Sequence, residues 1–84
     1  MKRVNVMVAL AVEKARLEAQ AAQNARAVER ALHDLYVATA KHGDGSDEQR
    51  EVEVKADALF DRGEEIAARL VEIEAQLGPE AIAA

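Results

Sequence analysis

Lys41-His42-Gly43-Asp44-Gly45-Ser46-Asp47-Glu48-Gln49, at the middle of the chain, reads as the end of one helix and the start of another. Gly43 suits the left-handed conformation that closes a helix, because it has no Cβ to clash. Ser46 and Gln49, three residues apart, form a capping box. The hydroxyl accepts from a free N–H of the new helix, and the amide reaches back. Asp47 and Glu48 fall in the first turn, where the helix dipole favours negative charge. The chain on either side is therefore predicted to be two long helices folded back on each other.

Upstream of this turn, from Leu10, apolar residues recur in alternating steps of four and three. The seam runs Leu10, Lys14, Leu17, Ala21, Asn24, Val28, Ala31, Leu35, Ala38 and His42. This is the spacing by which one helix lays a stripe along another. No Pro or Gly interrupts it, and Ala, Glu, Arg and Gln are good helix formers. Residues 3–10 also alternate in a strand-like way (Val4, Val6, Val8 and Leu10). Helix from about residue 5 is the reading favoured here, since the helical pattern runs back without a break. Downstream, Val52, Ala56, Leu59, Gly63, Ile66, Leu70, Ile73 and Leu77 keep the same alternation throughout, and Gly78-Pro79 stops it. One domain over 1–84 follows: helix 1 about 5–42, turn 43–46, helix 2 about 47–77, and a frayed tail 78–84. The fold class is all-α, a long antiparallel, coiled-coil-like hairpin assembling with further copies into a helical bundle.

The assembly expectation comes from apolar residues outside the seams. Pairing about the turn matches residues whose numbers total about 89, so helix 1 overhangs the end of helix 2 with Val4, Met7 and Val8 uncovered. One flank pairs Glu13, Gln20, Ala27 and Asp34 with Lys55, Arg62 and Arg69, and sets Asp34 against Lys55. The opposite flank is apolar, with Ala25 and Leu32 from helix 1 and Phe60 and Ala67 from helix 2. A further stripe, Val8, Val12, Ala15, Ala19 and Ala22, lies about 160° round helix 1 from its main seam at 100° per residue. A helix apolar on two faces is normally sandwiched. Asn24 on the seam reads equally as a device that sets register and as a half-exposed residue of no consequence. Gly63, which costs up to about 1 kcal/mol against Ala in mid-helix, is read as a point of close approach near Val28 or Asn24.

Eighty-four residues without cysteine allow one small core with no disulfide or thiolate metal site to hold it. Association with other copies is then the expected source of stability. The only aromatics are Tyr36 and Phe60. The net charge of −5 is uneven. Residues 1–42 hold seven basic and four acidic side chains, a balance of +3, and residues 43–84 hold four and twelve, a balance of −8. The halves attract each other, and the acidic total disfavours nucleic acid or an anionic membrane as partner. No apolar run approaches the roughly 18 residues of a membrane span. The start, Met1-Lys2-Arg3 and then Val4 to Val12, faintly suggests a signal peptide. Asn5 interrupts it and charges follow directly, so a cytoplasmic location is expected.

Nothing in the sequence forms a constellation for catalysis. His33 and His42 are nine residues apart, not on one helix face at ligand spacing. His42 with Asp44 and Asp47 lacks the oxygens of a hard-cation loop, and His42 is read as a helix C-terminal charge. Asp57, Asp61, Glu64, Glu65 and Glu72 read as a solvated face, not as paired acid and base, which would need a pocket. Neither a cofactor nor a metal is expected. The basic side chains Lys2, Arg3, Lys14, Arg16, Arg26 and Arg30 suit solubility, with only Tyr36 beside them to stack on a base. A bundle of two such hairpins is similar in architecture to the plasmid-copy-number RNA-binding protein Rop, although no motif of that family is present and the outer charge has the opposite sign. Secreted hairpins of the WXG type, which carry a Trp absent here, and needle-forming secretion subunits are similar in size. The expected function is non-catalytic: an oligomeric hairpin acting by protein–protein interaction as an adaptor, assembly factor or inhibitor, with itself and another protein as partners and residues 1–22 as the main contact. The alternatives are a Rop-like regulator binding nucleic acid through the basic side of helix 1, and an exported filament-forming subunit.

Overall fold

The computed structural model describes residues 2–78. Two helices make up almost all of it: α1, Lys2–His42, and α2, Asp47–Leu77. They pack along each other as an antiparallel hairpin, a rod with extents of 60 × 17 × 16 Å. The long extent is the length of α1 itself, about 61 Å at the helical rise. α1 begins at Lys2, a turn earlier than the spacing suggested, and residues 3–10 are helical throughout. The expected fraying of the tail falls, from residue 79 on, outside the described residues.

The turn closes as its residue types dictate. Gly43 sits at φ 91° and its N–H donates to the Thr39 carbonyl at 2.9 Å, capping α1. Gly45 is also left-handed, at φ 81°. Two such residues let the chain reverse within four positions. The Ser46 hydroxyl accepts from the Gln49 N–H at 3.2 Å. The Gln49 side chain does more than a capping box asks. Its carbonyl oxygen accepts from the Gly45 N–H, one residue before the cap. Its amide donates to the Thr39 hydroxyl at 3.0 Å and to Asp44 at 2.9 Å. The cap of α2 is thereby tied to the last turns of α1. Ser46→Ala should cost about 1 kcal/mol, the usual worth of such a cap. A urea titration that leaves the midpoint unmoved would contradict this account of the turn.

All the expected seam positions of α2 are buried or half-buried, with Ala56, Ile66 and Ile73 innermost. On α1 the innermost are Ala31 and Ala38, and of the ten expected positions only His42, at the helix end, is exposed. Gly63 has a specific neighbour. A Cβ built there would stand 3.0 Å from the amide nitrogen of Asn24. That nitrogen donates to the Leu59 carbonyl at 3.0 Å, so the polar seam residue is satisfied by the facing backbone. The missing side chain of Gly63 makes the room.

Asn24 against Gly63 totals 87, and Thr39 against Gln49 totals 88, close to the expected register. The polar flank departs from it. Glu13 meets Arg69 and Gln20 meets Arg62, and both pairs total 82. Asp34 and Lys55 are exposed and form no ion pair. Each flank position has two potential partners one heptad apart. At 89 Arg69 would face the amide of Gln20 and Arg62 the methyl of Ala27. At 82 Arg69 gains a carboxylate and two hydrogen bonds, while Lys55 falls level with Ala27.

Candidate functional site

The candidate site is the apolar surface outside the seam. Past the end of α2, Val4, Val6, Met7 and Val8 are exposed on α1. Here Val4, Met7, Val8, Ala11, Lys14 and Leu77 line a shallow open groove of about 360 Å³. Val12, Ala15, Ala19, Ala22 and Ala25 are exposed further along the helix. On the flank away from the arginines Leu32 is 45% and Phe60 47% exposed, and Ala67 is exposed beside them. The residues expected to form an interface are therefore at the surface of the hairpin.

The structure also joins residues that the sequence reading kept apart. Val4, Val8, Ala11, Ala15, Glu18, Ala22, Ala25, Glu29, Leu32 and Tyr36 follow one another in steps of four and three, and all are exposed. They form a second heptad stripe on α1, centred about 100° round from the seam at 100° per residue. Tyr36 and, on α2, Val71 are exposed members of this side that the sequence reading missed. The signal was present as spacing, but Glu18 and Glu29 cut it into short pieces. Val6 and Val54 are exposed elsewhere and belong to neither stripe.

The area involved is large for the chain. The protein exposes 6394 Å². A compact chain of 9.1 kDa would expose about 4,900 Å² by the usual scaling with mass. Its radius of gyration is 18.0 Å, against about 12 Å for a globule of this length.

The strongest polar feature lies near the open end. The Arg69 guanidinium donates to both oxygens of Glu13 at 2.8 Å and to Glu72 at 3.0 Å. The hydrogen bonds from Arg69 hold the Glu13 carboxyl below its ordinary range; desolvation opposes them, and the charges of Arg69 and Arg16 add to the lowering. The same contacts raise Arg69. The folded-state value of Glu13 is thus below its unfolded one. Its contribution to stability is present above the ordinary value of 4.5 and is lost as pH falls through the folded value. The melting temperature should therefore drop less on acidification below pH 4.5 in Glu13→Gln than in the wild type. Parallel curves would show that the pair carries no pH dependence.

The carboxylates Asp57, Asp61, Glu64, Glu65 and Glu72 are all exposed, and so are His33 and His42. Among the described residues no group of three or more His, Asp or Glu is placed to hold a metal ion. No described helix is long and apolar enough to cross a membrane. No family model, curated protein or solved structure matches this chain.

Proposed function

We infer that this is a non-catalytic hairpin that assembles with itself and acts by binding another protein. One observation carries the reading: a largely apolar stripe on α1, interrupted only by Glu18 and Glu29, lies open to solvent in the isolated hairpin with Phe60 beside it on α2. Soluble chains rarely leave contiguous apolar patches of more than a few hundred Å² uncovered, and those that do use them as interaction surfaces. The excess of exposed area over a compact chain, about 1,500 Å², is of the scale that association removes. Residues 1–22 include the overhang, where a partner helix could run on past Leu77.

Sedimentation equilibrium of the full chain at micromolar concentration tests the assembly. The expected result is a species of at least twice 9.1 kDa, with helicity and melting temperature that rise with concentration as coupled folding and association require. A well-folded monomer whose helicity ignores dilution would overturn it. The heterologous partner is tested by retention of a second protein on the tagged chain from its native cell, and by loss of that protein when Val8 and Val12 are changed to Glu.

A further inference from the structure

We propose that the second stripe of α1 packs against the same stripe of a second copy, antiparallel, about a twofold axis level with residue 20. The geometry rests on the assembly reading above and adds which helix meets which, in what direction and in what register.

A twofold contact needs a surface complementary to its own reversal. This stripe has that property. Large residues lie at both ends and small ones in the middle. In an antiparallel pair whose facing residue numbers total 40, Val4 of one copy meets Tyr36 of the other, Val8 meets Leu32, and Ala15 meets Ala25. The two acids fall against alanines, Glu18 against Ala22 and Glu29 against Ala11. Glu18 lies within 4.0 Å of Lys14 in its own chain, which offsets its charge near the axis.

Along α1 the alternatives are worse on charge or cover. A slip of one heptad to a total of 47 sets Glu18 against Glu29. The opposite slip, to 33, carries Leu32 and Tyr36 beyond the described length of the partner's α1. A parallel pair sets Glu18 on Glu18 and Glu29 on Glu29. Packing α1 on α2 of the other copy lays a stripe with no cation against one that carries Glu53, Asp57, Glu64 and Glu74.

An independent check comes from α2. The stripe lies about 100° round from the seam at 100° per residue. Two hairpins joined through it form a four-helix bundle in which the two α2 helices are also neighbours. Level with residue 20 of α1, by the total of 87 seen for Asn24 and Gly63, is Ala67. The large exposed apolar residues on that side of α2 are Phe60 and Val71. If Phe60 of each copy meets Val71 of the other, Asp57 meets Glu74 at the outer ends of that contact, and the axis crosses α2 between residues 65 and 66, within two residues of Ala67. Both helices thus call for nearly the same axis. The surplus area of about 1,500 Å² per chain covers the roughly 800 Å² per partner of a standard stable interface.

The chain has no cysteine, so single-cysteine variants at Asn5, Ala19 and His33, all exposed on α1 beside the stripe, can each carry one nitroxide label per copy. Pulsed electron spin resonance on the full chain should give a short distance at Ala19, about 10–20 Å for one helix spacing plus label arms. It should give long distances at Asn5 and His33, about 45 Å and about 39 Å along the axis at the helical rise. Circular dichroism checks that each labelled variant keeps its helicity. Should a label at Ala19 itself block assembly, the Asn5 and His33 pair decides alone. A dimer with short distances at all positions is parallel. One with a long distance at Ala19, with Asn5 and His33 distances more than about 15 Å apart, or with His33 the longer by over about 10 Å, uses another face or register. Any of these overturns the proposed geometry while leaving self-assembly standing. A 9.1 kDa species with no interspin distance overturns both.

Discussion

Leu32→Glu combined with Phe60→Glu should leave a monomer of low helicity at concentrations where the wild type is assembled. The two side chains are about half exposed in the hairpin alone. Completing the burial of each on association contributes at most the roughly 1.5–3 kcal/mol of a large apolar side chain. Together they approach a sizeable part of the 5–15 kcal/mol that a small domain possesses. Glutamate in their place adds a charge that would have to enter an apolar contact without a partner, which is costlier still. The seam cannot make up the loss, since its innermost residues on α1 are Ala31 and Ala38. Val54→Glu is the control. Val54 is exposed on the outer face of α2, so its replacement should change neither mass nor helicity. Sedimentation and circular dichroism on the three proteins check this, and a double variant that matches the wild type in both would sink the assembly reading.

Ile73→Ala should be the most damaging single truncation within the hairpin itself. Ile73 is 0% exposed, the one large side chain fully covered by α1. It sits on the same half of α2 as Arg69, beneath the Glu13 pair, where the hairpin is open and no turn holds the helices together. Replacing a buried Ile by Ala costs about 2–5 kcal/mol through lost transfer energy and the cavity left. The upper part of that range requires that the site cannot collapse. Here α1 is held nearby by Leu10 and Leu17, both half-buried. Denaturant titration at fixed concentration reads the loss. A change under about 1 kcal/mol would mean that the open half of the hairpin is not packed as described, since that is the effect of an ordinary surface substitution or little more.

The seam was legible because every physical condition for it pointed the same way. Residues 10–42 carry a strict period, good helix formers and no breaker, and the turn between the helices has Gly43 and Ser46 where a stop and a start need them. The close approach at Gly63 was legible too, since mid-helix glycine has a cost that needs a reason. The polar flank was not. Heptad geometry offers Arg69 both Glu13 and Gln20, and only the hydrogen bonds formed decide between them. The reach of Gln49 to Gly45, Thr39 and Asp44 depends on how far the chain bends at Gly45, which composition does not state. The second stripe was half legible. By sequence, Ala25 and Leu32 read as a flank, and Val8, Ala15 and Ala22 as part of a separate face. Their common spacing emerges once Glu18 and Glu29 are counted as members of it.

The contact between Asn24 and Gly63 also constrains how this chain can change over generations. Gly63→Ala on its own sets a methyl 3.0 Å from the Asn24 amide and disturbs its hydrogen bond to Leu59. Asn24→Ala first removes the obstacle, and Gly63→Ala then gains up to about 1 kcal/mol of helix propensity. The two substitutions are therefore passable in one order and obstructed in the other, so descendants that have changed Gly63 to Ala should already have lost Asn24. Selection from a library randomised at the two codons would show it, as an excess of the Gly63→Ala change only among survivors that no longer encode Asn24.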